Sequence, residues 1–143
     1  MMFDLAATVE DSHEAVDAFV RGDPEPLKAL YSKEDDVTIA NPFGPPSRGW
    51  RNAAETMDRA ATNFREGAAI GFERISENTS ADLAYILEIE RFRSKLGGAS
   101  ELTEFSLRVT TVFRMEGAGW KIVHRHADPI TTPRSTDSLS GGG

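Results

Sequence analysis

The hydrophobic period of the chain changes once, just after Gly67, and no other feature limits the fold as much. Upstream of Gly67 apolar residues recur at a helical interval. Leu5, Ala6, Val9, Val16, Phe19 and Val20 are interspersed with the acids Asp4, Glu10, Asp11, Glu14 and Asp17, the pattern of a helix with one buried stripe. Gly22 ends this helix. Asp23 as N-cap and Pro24 at the first position then open a short second helix, whose apolar face is Leu27, Leu30 and Tyr31. A third helix is predicted over Asn52–Arg65, with Ala53, Met57, Ala60, Ala61 and Phe64 at helical spacing and Asn52 and Glu55 as a capping box. Between the second and third helices, Asp36–Ala40 has the composition of a short strand. It leads into Asn41–Trp50, a loop holding three of the seven prolines.

Downstream of Gly67 the period is two. Alternation predicts strands over Ala69–Glu77, Leu83–Ser94, Glu104–Met115 and Trp120–Ala127, separated by Asn78-Thr79-Ser80, Gly97-Gly98-Ala99-Ser100 and Glu116-Gly117-Ala118-Gly119. Three N-terminal helices followed by a meander of long strands imply an α+β fold, with the helices packed on one face of an antiparallel sheet. The 143 residues suit one domain, expected over residues 1–130, followed by a polar tail over residues 131–143.

Composition narrows the function. A formal charge of −7 disfavours an electrostatic grip on nucleic acid or an anionic membrane. The absence of Cys removes thiol nucleophiles, iron–sulfur clusters and disulfides. No apolar run approaches the ~20 residues of a membrane span. Met1-Met2-Phe3-Asp4-Leu5 lacks the basic and apolar regions of a secretory leader, so a cytoplasmic protein is expected. There is no Gly-rich phosphate loop and no Gly-x-Ser-x-Gly elbow, and no cofactor is expected.

Four groups of residues carry candidate chemistry. Glu88 and Glu90 lie two apart on one strand, on the face shared with Ala84, Ile86 and Phe92. Two acids among apolar neighbours suit a general base and its partner, or a row paired with arginines of the next strand. Arg108, Thr110, Val112 and Arg114 share one face of the following strand. His124, His126 and Asp128 alternate on the last strand, with Trp120 and Ile122 at the same parity. Such a row suits acid–base work or a pocket wall better than a metal site. If Met115 pairs with Trp120, the histidine face joins Val109, Thr111 and Phe113. If Arg114 pairs with Trp120, His126 sits opposite Arg108. Finally, Phe43, Trp50, Phe64 and Tyr85 are candidates for an aromatic wall around a flat organic ligand, or for plain core.

Several local motifs resemble the nuclear transport factor 2-like superfamily, in its SnoaL-like and ketosteroid-isomerase-like branch. They are Gly22-Asp23, Leu30-Tyr31 leading into Asp35–Ile39, Asn41-Pro42-Phe43-Gly44 ahead of Gly49-Trp50, and Arg108-Val109-Thr110 with Trp120–Pro129. The last also resembles the closing strand of the calcium/calmodulin-dependent kinase association domain. The resemblance implies a curved sheet wrapped around the helices as a cone, a pocket at its wide end, and homodimers joined through the sheets. It places Arg108 in that pocket. Asn41 stands where the isomerases carry their basic Asp, and Ala15 aligns with their oxyanion-donating Tyr, so the isomerase pair is missing. An amide has no useful basicity, and Asn41 is left as a ligand hydrogen-bonding group or a turn former. Two functions follow. One is a cofactor-independent enzyme of isomerase, dehydratase or cyclase type, using Glu90, His126 or Asp128 for proton transfer. The other is a non-catalytic binding or assembly module, in which Arg108 with His126, and His124 in the wall, recognise a small carboxylate.

Overall fold

A computed structural model of the chain describes residues 4–117 and 119–141. The N-terminal Met1–Phe3 that bears on a leader, Ala118 of the last turn, and Gly142-Gly143 of the tail lie outside the described residues.

Helix α1 spans Leu5–Phe19 and is opened by Asp4, whose carboxylate accepts the Ala6 N–H at 2.9 Å. Helix α2, Glu25–Leu30, begins one residue later than expected, because Pro24 takes the N-cap position while the Asp23 carboxylate accepts the Glu25 N–H. Strand β1 is Thr38–Ala40, and a two-residue β2, Ser47–Arg48, folds back on it across the proline loop. Helix α3, Trp50–Ala61, starts two residues before Asn52. Gly49 caps it with φ 87, a conformation natural to glycine, and the Asn52 amide turns back to the Arg48 carbonyl. The predicted capping box is therefore not made, and α3 ends at Ala61. Phe64 opens strand β3, Phe64–Thr79, instead of closing the helix. Strands β4 (Leu83–Leu96), β5 (Leu102–Glu116) and β6 (Gly119–Asp128) complete the meander. A one-turn helix α4, Asp137–Ser140, lies exposed in the tail.

The six strands form an open sheet in the order β2-β1-β6-β5-β4-β3, antiparallel except where β1 runs parallel to β6. Helices cover one face, giving the expected α+β cone. The core between them holds Tyr31, Val37, Met57, Phe92, Phe113 and Ile122, all essentially without solvent contact.

Two irregularities set the curvature. Strand β3 shifts register against β4 three times, which bends it around the helices. The Asp17 carboxylate of α1 accepts the Ala69 N–H beside one of these shifts at 2.8 Å, tying helix to sheet. The second irregularity is in β6. Met115 pairs with Trp120 and Phe113 with Ile122, but Val112 then pairs with His124, so Val123 is an extra residue. The parity of β6 inverts there. His124, His126 and Asp128 consequently oppose Val112, Thr110 and Arg108, although Trp120 pairs with Met115. Neither simple register anticipated this combination.

Gly67 has the closest surroundings of the glycines described. A Cβ there would lie 2.3 Å from the Val20 carbonyl oxygen and 2.7 Å from that of Arg93. Backbone cannot yield as a side chain tip can, so Gly67→Ala is expected to lower the unfolding free energy by about 3 kcal/mol. Urea denaturation checks this; an unchanged midpoint would mean that β3 and the end of α1 are not in close contact.

Candidate functional site

The cone encloses a cavity of about 510 Å³, within the range of small-molecule sites. Its walls come from every layer. Helix α1 supplies Val16, Phe19 and Val20, α2 supplies Leu27, and the loop after β1 supplies Asn41, Pro42 and Phe43. The sheet supplies Phe64, Phe92, Phe105, Leu107, Arg125 and Ala127. Phenylalanines organise the interior. Phe64 stacks on Phe105 with centroids 5.8 Å apart and an interplanar angle of 18°, and meets Phe19 and Phe43 edge-on. Phe105 also packs on Phe92 at 5.4 Å. Each such pair adds about 0.5–1.5 kcal/mol beyond area burial and holds a flat apolar surface in place.

Few polar groups reach this space. The Asn41 carbonyl accepts the Phe43 N–H at 2.9 Å, shaping the turn before the prolines while the residue lines the cavity. Asn63 bonds back to the Ala60 carbonyl. Arg125 is the one charged residue among the described lining residues, and it is only 8% exposed. Its guanidinium donates to both oxygens of Glu90, at 2.6 and 3.0 Å, reaching diagonally over β5. Burial opposes the charge of Arg125, but the adjacent Glu90 carboxylate outweighs it and holds the arginine protonated. Two buried charges thus satisfy each other.

Glu88 shares the inner face with Glu90, as the alternation predicted, but belongs to a separate network. One oxygen is 2.9 Å from His13 Nε2 of α1, and the other accepts from Arg74 Nε at 3.0 Å. The His13 ring stacks on Phe72 at 3.7 Å. Burial works against the Glu88 carboxylate, yet the His13 and Arg74 contacts prevail and hold it below its ordinary value.

The other candidates stand elsewhere. Arg108 faces the opposite, outer side of the sheet, half-exposed, where Nε donates to Asp128 at 2.7 Å. The expectation that it lines the pocket is corrected: Val109, Thr111 and Phe113 take the inner face of β5, so Arg108 points outward, and the Val123 bulge of β6 brings the histidine row beside it and turns Arg125 inward. His126 is exposed on that outer face, 3.2 Å from Asp128. Asp128 is kept ionised by Arg108 and the Ile130 N–H against the effect of burial. His124 contacts Thr38 Oγ1 at 2.7 Å, and burial with the nearby His126 pushes its pKa down. Tyr85 is exposed on the outer face, and Trp50 lies at the start of α3 under the Lys33 ammonium, away from the cavity. Of the predicted ligand contacts, the structure brings Asn41, Phe43 and Phe64 to the cavity wall, with Glu90 directly behind Arg125. Arg125 escaped the sequence reading because it sits between two histidines, at the parity that an unbroken strand would turn outward. Among the described residues no three His, Asp or Glu side chains converge to hold a metal ion. No helix among them is long and apolar enough to cross a membrane.

Comparison with known proteins fits this architecture. Residues 7–131 match the family model of the SnoaL-like domain. The chain belongs to that family. Its fold is shared with a ketosteroid isomerase-like protein from Erwinia carotovora atroseptica, at 20% identity, TM-score 0.71, and coverage of 90% of this chain and 97% of the other. A candidate dehydratase of the NTF2-like family from Streptomyces avermitilis superposes with TM-score 0.70 at 21% identity, over 89% and 97% of the two chains. An NTF2-like superfamily protein from Salmonella enterica gives 0.69 at 17%, over 93% and 96%. These likenesses show that the chain shares the fold of these NTF2-like proteins. No curated protein matches the sequence.

The Glu88 network makes a pH prediction. A carboxylate with a lowered folded pKa contributes stability that is full above its ordinary value of 4.5 and is lost as pH falls through the folded value. Glu88→Gln is expected to flatten the loss of stability below about pH 4.5. Thermal unfolding followed by circular dichroism checks it; parallel wild-type and variant profiles would show that Glu88 titrates alike folded and unfolded.

Proposed function

We propose that this SnoaL-like domain is a small-molecule binding protein that encloses a largely apolar ligand in its cone. The supporting observation is the phenylalanine-walled cavity, whose described lining residues include no carboxylate and no imidazole. A proton-transfer enzyme needs a base within hydrogen-bond reach of its substrate. Glu90 has both oxygens engaged by Arg125, while His126 and Asp128 lie across the sheet from the cavity. The isomerase-, dehydratase- and cyclase-like readings therefore lack their acid–base residue, and binding is the reading retained. The fold neighbours with enzymatic names support the cone as a place for organic ligands without carrying a reaction to this chain. The same proposal includes a homodimer through the outer sheet face, where Leu83 and Tyr85 are exposed beside half-buried Leu87, Ile89 and Val112.

A neutral fluorescent probe, N-phenyl-1-naphthylamine, is expected to bind saturably at one site per chain. Leu107→Trp, which fills the cavity, is expected to weaken this at least about tenfold. Equal affinity for both proteins would overturn the assignment. Isomerisation of a 3-keto-Δ5-steroid above background would restore the enzymatic reading.

A further inference from the structure

A guanidinium in an apolar cavity must have an anionic partner or lose its charge. In a cone whose arginine was alone, the ligand itself would have to be an acid. Here Glu90 supplies the anion, and the balance extends further. Glu88, in its own network with His13 and with an Arg74 that also pairs with Glu77, adds a further negative charge that acts on Arg125. A carboxylate ligand would become a second anion on a guanidinium already neutralised, with the Glu88 charge behind it.

The guanidinium still has hydrogen bonds to give. Of its five N–H groups, two are donated to Glu90, and among the described residues no other acceptor bonds it. Arg125 nevertheless lines the cavity, so the remaining donors are the recognition groups available to a ligand. A carbonyl oxygen accepts without bringing charge. A hydroxyl brings a proton that a guanidinium cannot accept. The near-parallel Phe64 and Phe105 rings give a flat companion surface.

From this charge balance and these free donors we infer that the cavity selects a flat, uncharged carbonyl compound, its oxygen on Arg125, and discriminates against the matching carboxylate. This rests on the cavity being a ligand site, as proposed above. Three ligands of nearly one shape separate the terms: 2-isopropylnaphthalene, 2-acetylnaphthalene and 2-naphthoate, measured by displacement of the fluorescent probe. On the wild-type protein the ketone is expected to bind about tenfold tighter than the hydrocarbon and at least about tenfold tighter than the acid. In Glu90→Gln, which leaves Arg125 unneutralised, 2-naphthoate is expected to overtake the ketone.

The wild-type order needs no variant, so it decides the matter even if Glu90→Gln fails to fold. Hydrocarbon and ketone binding equally would leave the cavity a binding site and overturn the carbonyl assignment alone. Tightest wild-type binding by 2-naphthoate would overturn the charge argument. Binding of none of the three would overturn both this inference and the function on which it rests.

Discussion

The paired hydrogen bonds between Arg125 and Glu90 cross β5 on the concave face of the sheet, and the character of the cone depends on them. Without Glu90 the cavity would hold a bare cation. Without Arg125 it would have a buried carboxylate with no cationic partner. Together they leave a cavity that is neutral, mostly apolar and supplied with donors on one side. The pair thus bears on both questions a small-molecule cone raises, whether it does chemistry and what charge its ligand carries.

That arrangement depends in turn on one extra residue. Val123 inverts the parity of β6, so Trp120 and Ile122 before the bulge and Arg125 and Ala127 after it all reach the inner side. Removing the bulge would send Arg125 outward and His124 and His126 inward. The same strand would then present imidazoles to the cavity, which is the arrangement an acid–base enzyme needs. Glu88 serves a different purpose, pinning α1 to the sheet through His13 while also bonding Arg74 of the neighbouring strand β3. Two acids adjacent on one face thus join two separate networks.

The architecture was legible because period-two and helical spacing are carried by many residues at once. The alternation of β4 predicted that Glu88 and Glu90 share a face with Ala84, Ile86 and Phe92, and the structure has that face inward. The α3 start was misread because Asn52 and Glu55 form a plausible box, whereas Gly49 opens the helix earlier through its backbone. The site was less legible for a related reason. A bulge of one residue has no compositional mark, yet it exchanges every later side chain on the strand between faces. Arg125 was hidden for that reason, whereas Arg108 faces outward by the alternation of β5 itself, in which Val109, Thr111 and Phe113 are buried. Asn41 and Phe43 were found at the cavity because loop order, not strand parity, places them there, while Phe64 reaches the same wall from the first position of β3.

The central claim is that Arg125 and Glu90 satisfy each other inside the cone, and a double-mutant cycle measures it most directly. Urea unfolding of the wild type, Arg125→Met, Glu90→Gln and the double variant gives their coupling free energy. The account predicts coupling of roughly 3 kcal/mol, with each single variant much less stable than the double variant would imply by addition. Coupling near the roughly 0.5 kcal/mol of an exposed surface pair would contradict it, because the two groups would then be solvated separately and the cavity would not be neutral.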